Sequence, residues 1–262
     1  MLDTIIHRWL RVPYALNVRQ IIRHKQAKHT VLLIHGLGDT GDLWKELYDQ
    51  LPEDLNIVAI DLLGFGNSPR PKWGVYNART QARSLLATYL RLGIRGPVKI
   101  VGHSLGCLVA IDFARRYPLL MRQLVLCAPP IYHPQDKKMR HADDRLRELY
   151  TIAAQKPSLL VNMYGIGQKL RLLNPSIQVT KDNIEMFVKS LHSSIINQRT
   201  IDDIAKVKVP ITIINGVFDP FVIQGNLAGL RDKYANVQLV NIPAGHIISK
   251  PYRIEIIKAL TT

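Results

Sequence analysis

The chain is poor in cysteine and lacks long apolar runs. Its 262 residues include two cysteines, which cannot build a disulfide framework and fit a reducing compartment. The 16 glycines and 15 prolines are few and aperiodic, which excludes a collagen-like or low-complexity chain. No window of about 18 apolar residues occurs, so we expect no membrane-spanning helix. The first residues lack the features of a signal peptide, and together these absences favour the cytoplasm.

Acidic residues are also scarce. Against 35 lysines and arginines stand 20 aspartates and glutamates, which leaves a formal charge of +15. The basic residues are spread along the chain without an aromatic-interleaved strip or a nucleic-acid motif, so we expect no specific nucleic-acid partner. Weak attraction to anionic surfaces stays open. With 47% hydrophobic and 21% charged residues, the composition is globular and excludes intrinsic disorder.

Short, β-branched apolar runs alternate with amphipathic stretches, which is typical of a parallel sheet flanked by helices. The predicted buried strands are residues 30–36, 56–61, 98–103, 123–128, 211–216 and 237–242. The predicted helices are residues 43–51, with Asp42 as N-cap, 78–92, 105–117 and 251–260. Residues 11–16 and 19–25 suggest an antiparallel hairpin at one edge of the sheet.

This alternation stops between residues 131 and 207, where the pattern indicates helices and no buried strand. The predicted helices there are residues 143–155, 157–172, 181–193 and 197–205. We therefore expect one core, formed by residues 1–130 and 208–262, with a helical lid inserted at 131–207.

One pentapeptide has the spacing of a serine nucleophile. Gly102-His103-Ser104-Leu105-Gly106 matches G-x-S-x-G and lies between a predicted buried strand and a predicted helix. A sharp strand-to-helix turn crowds the backbone, so glycine is needed two residues before and two residues after the serine. The N-terminus of the following helix directs its dipole and free N–H groups at the serine. The alternative is an ordinary turn serine.

A serine hydroxyl needs a base, and the base needs a carboxylate to orient it. Among nine histidines, His246 is favoured because it follows the last predicted strand. Asp219 follows the strand before that one. Asp112 and Asp232 are alternatives that we expect to be solvated or capping groups. The order Ser104, Asp219, His246 is the one expected for this sheet topology.

Acyl transfer also needs backbone donors for the developing oxyanion. We expect these from the N–H groups of Leu105, at the start of a helix, and of Leu37, in the glycine-bearing loop after residues 30–36. No metal or organic cofactor is required. The residues expected to line the substrate pocket come from these loops and from the insertion, and they are Gly36, His103, Met163, Tyr164, Phe218 and Ile247.

At these residues the chain resembles the α/β-hydrolase superfamily, of the lidded type that includes esterases and acyl hydrolases. His-Gly followed by Trp44, then DLLGFGNS, GHSLG, the Asp219 segment and Gly245-His246 appear in the family order. The resemblance implies a mostly parallel α/β sheet of about eight strands with flanking helices and a helical lid.

At two positions, the chain differs from particular enzyme classes of this fold, which narrows the classes that it resembles. Dehalogenases and epoxide hydrolases of this fold carry aspartate where this chain has Ser104, and many carbon–carbon bond hydrolases carry an aromatic residue where it has Ile247. The string HGLGDTG is similar to acyl-protein thioesterases, but in one loop only. The sequence therefore predicts a serine hydrolase acting on small-molecule carboxylic esters. The alternatives are a thioester, amide, carbon–carbon or perhydrolysis reaction on the same triad, or a low-turnover ligand-binding protein.

Overall fold

The computed structural model describes residues 2–133, 158, 161–162, 165, 179–180 and 183–261. Within them, seven strands form one sheet in the order β1-β3-β2-β4-β5-β6-β7. Neighbouring strands are parallel, except that β1 runs antiparallel to β3. The strands are β1 Asn17–Ile22, β2 His29–Ile34, β3 Leu55–Asp61, β4 Val98–His103, β5 Met121–Cys127, β6 Ile211–Gly216 and β7 Val237–Ile242. The mostly parallel sheet is confirmed, with seven described strands where about eight were expected.

The central strands are buried along their length, which explains why their sequences were recognisable. Every residue of β4 and of β6 is buried. A strand covered on both faces needs apolar side chains at consecutive positions, and β-branched residues fit this pleated surface. Since β2 to β7 run in one direction, their carboxyl ends meet at one edge of the sheet, which is where open α/β sheets bind ligands.

The described helices are short or medium in length. They are α1 Lys45–Tyr48, α2 Ala78–Arg91, α3 Leu105–Arg116, α4 Ile184–Ser190, α5 Thr200–Ile204, α6 Gln224–Lys233 and α7 Lys250–Thr261. Asn77 caps α2 by accepting the Thr80 N–H at 2.9 Å. The expected N-cap Asp42 is wrong, because the capping side chain is Thr40. It precedes a 3₁₀ turn, Gly41–Trp44, that leads into α1.

One half of the predicted N-terminal hairpin is correct, since β1 overlaps the predicted strand at residues 19–25 and lies at one edge of the sheet. The other half and the pairing are wrong. Residues Thr4–Trp9 form a π-helical turn, residues 11–16 contain no strand, and β1 pairs with β3 instead. At the start of β1, side-chain oxygens accept hydrogen bonds from the backbone. The Leu16 N–H donates to Thr88 Oγ1 and the Asn17 N–H donates to Ser68 Oγ, both at 2.8 Å. These bonds replace the ladder that a hairpin would have formed.

The described part of the insertion is its C-terminal end. Helices α4 and α5 overlap the predicted helices at 181–193 and 197–205, whereas those at 143–155 and 157–172 lie almost wholly outside the described residues. Ser194 Oγ donates to the Tyr76 carbonyl at 2.9 Å, and the Cβ of Met186 lies 3.2 Å from where a Cβ on Gly64 would sit. This end of the insertion therefore packs on the loop that follows β3. The lid at 131–207 remains a prediction.

Candidate active site

Ser104 occupies the sharp turn between β4 and α3, with φ 51° and ψ −118°. A non-glycine residue rarely adopts such a φ, so the surroundings must enforce it. A Cβ on Gly102 would lie 2.7 Å from the Gly106 carbonyl carbon, and one on Gly106 would lie 2.4 Å from the Ile34 carbonyl oxygen. The Ser104 N–H donates to the Cys127 carbonyl at 3.0 Å. Backbone packing therefore fixes the position of the serine.

Ser104, His246 and Asp219 form one hydrogen-bonded chain across three loops. Ser104 Oγ lies 3.0 Å from His246 Nε2, and His246 Nδ1 lies 2.7 Å from Asp219 Oδ2. Because a carboxylate only accepts, Nδ1 carries the proton and Nε2 is free to accept the serine hydroxyl hydrogen. The Asp219 carboxylate is fully buried, which strengthens its bond to the imidazole. The arrangement can withdraw a proton from the hydroxyl.

The loops after β6 and β7 are joined by one tyrosine. Tyr252, on α7, is fully buried, and its hydroxyl accepts the Gly216 N–H and donates to the Gly245 carbonyl, each at 3.0 Å. Gly216 ends β6, three residues before Asp219, and Gly245 immediately precedes His246. Burial raises the pKa of the Tyr252 hydroxyl, so the group stays protonated. Tyr252 therefore holds the carboxylate loop against the histidine loop.

Phe221 touches the candidate base and was not anticipated from the sequence. Its N–H donates to Asp219 Oδ1 at 2.8 Å, and its ring meets the His246 ring edge-on with centroids 5.0 Å apart. The run Asp219-Pro220-Phe221 carries the sequence signal of an Asx turn, which places the first of these contacts. The contact with His246 depends on the tertiary fold.

A tight turn follows β2 and lies against the serine. The Asp39 N–H faces the Gly36 carbonyl at 3.4 Å, and Gly38 has φ 77°, as the third residue of a type II turn requires. A Cβ on Gly36 would lie 2.9 Å from His103 Nδ1 and 3.2 Å from Ser104 Cβ, so a larger residue would force these side chains to shift. Leu37 is the second residue of this turn.

His35 fixes the start of this turn. Its Nδ1–H donates to the Gly36 carbonyl at 2.7 Å, and its Nε2 accepts the Leu62 N–H at 2.8 Å. Complete burial lowers the pKa of His35 to about 4, so the ring is neutral and can play both roles. Across the site, Leu105 is the first residue of α3, and N–H groups in a first helical turn have no acceptor within the helix.

His103 lies beneath the site and links the elbow to the histidine loop. Its Nε2–H donates to the His246 carbonyl at 2.8 Å. Burial, and then the neighbouring His246, lower the pKa of His103 to about 3, so this ring also stays neutral. Its Nδ1 has no hydrogen-bond partner among the described residues and would lie 2.9 Å from a Cβ on Gly36. His103 therefore lies against both the turn from Gly36 to Asp39 and the candidate base.

Asp39, in the same turn, is a buried carboxyl group beside the site. Its Oδ1 accepts the Thr40 N–H at 2.8 Å, while its Oδ2 has no partner among the described residues. Burial is the main cause that raises the pKa of Asp39 to about 7, with Asp42 and Asp61 adding smaller repulsions. The group therefore changes charge near neutral pH.

The other residues proposed from sequence are distributed as follows. Phe218 and Ile247 are exposed beside the site, at 74% and 46%. Met163 and Tyr164 lie outside the described residues. Asp112, one of the alternative carboxylates, is not solvated as expected, because it is buried and pairs with Arg115 at 2.6 Å.

The two cysteines, Cys107 and Cys127, are buried free thiols that pack against the serine turn. Cys107 Sγ donates to the Gly102 carbonyl at 3.2 Å, and the Cys127 carbonyl accepts the Ser104 N–H. Among the described residues, no three histidine, cysteine or acidic side chains gather in a group that could hold a metal ion. Within the same ranges, no helix combines the length and the apolar character needed to cross a membrane.

Two curated plant proteins are similar to about half of the chain. BODYGUARD 2 of Arabidopsis thaliana, a probable lysophospholipase, is 30% identical over 139 residues, which are 51% of this chain and 29% of that protein. BODYGUARD 3 of the same plant, also a probable lysophospholipase, is 36% identical over 117 residues, 43% of this chain and 24% of that protein. The matched region spans less than a third of the length of either relative.

Solved structures match nearly the whole chain. A thermophilic esterase from Thermogutta terrifontis is 20% identical with a TM-score of 0.74, over 92% of this chain and 91% of that one. An enol-lactonase from Burkholderia xenovorans is 18% identical with a TM-score of 0.69, over 95% of this chain and all of that one. At such identity these likenesses show the fold. The family model of the alpha/beta hydrolase fold matches residues 29–250, and the chain belongs to that family.

Proposed function

We propose that this chain is a serine hydrolase that cleaves small-molecule carboxylic esters through an acyl-enzyme. Ser104 is the nucleophile, His246 the general base and Asp219 the carboxylate that orients the base. The backbone N–H groups of Leu37 and Leu105 form the oxyanion hole. The observation that carries the proposal is the unbroken hydrogen-bonded chain from Ser104 Oγ through His246 to Asp219.

In the first half-reaction, His246 Nε2 takes the hydroxyl proton as Ser104 Oγ attacks the acyl carbon. The carbonyl oxygen becomes an oxyanion, which the Leu37 and Leu105 N–H groups stabilise. Asp219 stabilises the imidazolium that has formed. The proton then passes from Nε2 to the leaving alcohol, the carbon–oxygen bond of the ester breaks, and the acyl group remains on Ser104.

The second half-reaction repeats these steps with water. His246 Nε2 takes a proton from water, the hydroxide attacks the acyl carbon, and the acid leaves as Ser104 Oγ regains a proton. His103 stays neutral beside His246 throughout, so it adds no positive charge that would oppose the imidazolium. The strained Ser104 backbone holds Oγ at one position through both halves.

Two features support ester cleavage among the reactions open to this machinery. The structures that share the fold include enzymes described as an esterase and as an enol-lactonase, both of which act on esters. The curated relatives are described as probable lysophospholipases, which makes a single-chain glycerophospholipid a specific ester to try. Thioester, amide, carbon–carbon and perhydrolysis chemistry are the alternatives on the same triad.

The location and the lid belong to the same proposal. We place the enzyme in the cytoplasm, where two buried thiols stay reduced. Residues 131–207 form a helical lid over the carboxyl edge of the sheet, and Met163 and Tyr164 line an apolar acyl pocket beneath it. Gly36, His103, Phe218 and Ile247 complete that pocket from the core. Crystal structures with and without an acyl analogue test whether the lid helices shift.

Hydrolysis of p-nitrophenyl esters across acyl chain lengths, and of a lysophospholipid, tests the proposal. We expect Ser104→Ala to lower kcat/KM by at least about 10⁴-fold, because the oxyanion hole and binding alone give little turnover. Ser193→Ala, at a serine in the insertion, is the matched control and should retain activity.

The outcomes separate the competing functions. Faster turnover of thioesters or amides than of esters would change the substrate class that we propose and leave the proposed triad unchanged. Tight binding of a ligand without turnover of any of these substrates would indicate a binding protein on a hydrolase fold. Ester turnover unchanged in Ser104→Ala would contradict the proposal outright.

A further inference from the structure

Large apolar side chains are exposed on two neighbouring segments, residues 2–12 and 73–75. Among them, Trp9 is 72% exposed and Leu10 is 67% exposed. We call this set the apolar rim, and its members are Leu2, Trp9, Leu10, Val12, Trp73 and Val75. Both segments line one open cavity of about 350 Å³, to which Val12, Trp73 and Val75 contribute directly. Exposed apolar side chains in such a cluster mark an interaction surface.

The topology places the apolar rim at the edge of the sheet that carries Ser104. Asn17, the first residue of β1, lies opposite Asp61, the last residue of β3. Residues that precede β1 and residues that follow β3 therefore share the carboxyl edge of the parallel strands. Strand β4, which leads to Ser104, is two positions from β3, or about 10 Å away. A surface docked on the rim faces the same side as the candidate active site.

Basic side chains accompany the apolar rim. Arg8, Arg11 and Arg83 line the same cavity, and all three are exposed. Residues 2–16 and 62–83 together hold six basic residues and one acidic residue, Asp3. This local excess is distinct from the general surplus of the chain, because here Arg8 and Arg11 flank Trp9 and Leu10 in the sequence.

We propose that the apolar rim and its arginines dock on an anionic lipid bilayer. Tryptophan favours the boundary between headgroups and acyl chains, while leucine enters the acyl region. Arginine extends an apolar stem and pairs its guanidinium with phosphate. A bilayer supplies phosphate and hydrocarbon in one continuous surface, which matches the mixture of groups here. Docking adds to ester cleavage and does not depend on Ser104.

Sedimentation of the full chain with vesicles tests the proposal. At low salt, we expect much stronger binding to vesicles of phosphatidylglycerol and phosphatidylcholine than to phosphatidylcholine alone. The double variant Trp9→Ser/Leu10→Ser should weaken anionic-vesicle binding at least about tenfold. Arg8→Glu/Arg11→Glu should weaken it at least as much.

Matched controls lie at the opposite edge of the sheet. Leu119 is 89% exposed and lies two residues before β5. Arg95 is exposed and lies three residues before β4. Leu119→Ser and Arg95→Glu should bind vesicles like the wild type. Thermal unfolding of each variant checks that it is folded, and the exposed positions make loss of folding unexpected.

Four results would overturn the proposal. The first is that the wild-type chain stays in the supernatant with anionic vesicles at low salt. The second is that Trp9→Ser/Leu10→Ser binds as the wild type does, which would indicate general adsorption of a basic protein. The third is that Leu119→Ser weakens binding equally. The fourth is self-association that requires Trp9 without any vesicle binding, which would make a second copy the occupant of the rim.

Discussion

The two halves of the candidate active site differ in how much side-chain hydrogen bonds contribute to holding them in place. The serine side comprises Ser104, its flanking Gly102 and Gly106, and the turn from Gly36 to Asp39. There, a Cβ on Gly102 or on Gly106 would collide with main chain. The histidine side comprises Asp219, Phe221, His246 and Tyr252, together with the glycine that ends β6. A Cβ on that residue, Gly216, would also collide with main chain, at Ala244, but here hydrogen bonds between side chains and loops add to the backbone contact.

The proposed mechanism gives each half a different task. A nucleophile and its oxyanion donors need a fixed separation, and a backbone packed against backbone gives the most rigid solution. In the same proposal, the histidine accepts a proton from serine and passes it to a leaving group, and it lies in a loop held by hydrogen bonds to its carboxylate and by contacts around it. We therefore expect abrupt losses where a new Cβ would meet main chain on the serine side, and graded losses where a side-chain hydrogen bond is removed on the histidine side.

Gly106→Ala should have the largest effect. Its Cβ would meet the Ile34 carbonyl oxygen at 2.4 Å, so β2 and α3 must move apart. We expect a loss of about 3 kcal/mol in the free energy of unfolding and a drop in kcat/KM of at least about 10²-fold from the displaced serine.

Gly229→Ala is the matched control for that change, measured by urea unfolding and ester turnover. A Cβ there meets nothing within 4 Å, and the residue lies inside α6. Alanine should stabilise this helix by about 0.5 to 1 kcal/mol. Equal stability and activity for Gly106→Ala and the wild type would remove the distinction between the two sides.

Asp39→Asn probes a buried titrating group on the serine side. Because the pKa of Asp39 is raised to about 7, the folded chain keeps a proton that the unfolded chain releases above about pH 4. The stability from that proton is present at low pH and is lost as pH rises from about 4 through 7. Asparagine cannot ionise, so the variant should gain on the wild type by roughly 1.4 kcal/mol for each pH unit between about pH 4 and pH 7.

Urea unfolding across that pH range measures the difference, with Asp202→Asn, at an exposed aspartate, as the control. A difference between Asp39→Asn and the wild type that stays constant with pH would show that Asp39 titrates as an ordinary surface carboxylate.

Tyr252→Phe should have the smallest effect of the three. It removes the hydroxyl that joins Gly216 to Gly245, which costs about 1 to 2 kcal/mol of stability. We expect kcat to fall about tenfold with little change in KM, because His246 is less well positioned and the pocket is unchanged. Tyr117→Phe is the control, since its hydroxyl makes no hydrogen bond with a described residue. A fall as large as that of Gly106→Ala would mean that the histidine side is not graded.

The sheet could be predicted because its central strands are buried on both faces. Strands β4 and β6 have the bounds predicted from sequence, since every residue in them is buried and each has a clear end. Strand β7, at the other edge of the sheet, also has the predicted bounds, although only its two end residues are buried. The bounds and the partner of edge strand β1 could not be predicted, because the strand contains no fully buried residue and its register shifts between Val18 and Gln20. Its partner is decided by contacts with Thr88 and Ser68, far away in sequence.

The three candidate catalytic side chains were chosen from motif and chain order, and the structure brings them within hydrogen-bond distance. Their catalytic roles remain proposals. The residues that hold these three side chains in place could not be predicted from the sequence. Tyr252 lies on the last helix, and its two partners end different strands, so nothing local signals the connection. His103 was expected in the substrate pocket, whereas its bond to the His246 backbone appears only in the folded chain.

The central claim is that Ser104 is an activated nucleophile, and labelling with a fluorophosphonate followed by peptide mapping tests it most directly. We predict one phosphonyl adduct per chain, on the peptide that contains Ser104, with no adduct in Ser104→Ala and labelling slowed at least about 10²-fold in Asp219→Asn. An adduct on another residue, or wild-type ester turnover without any labelling of Ser104, would contradict the account.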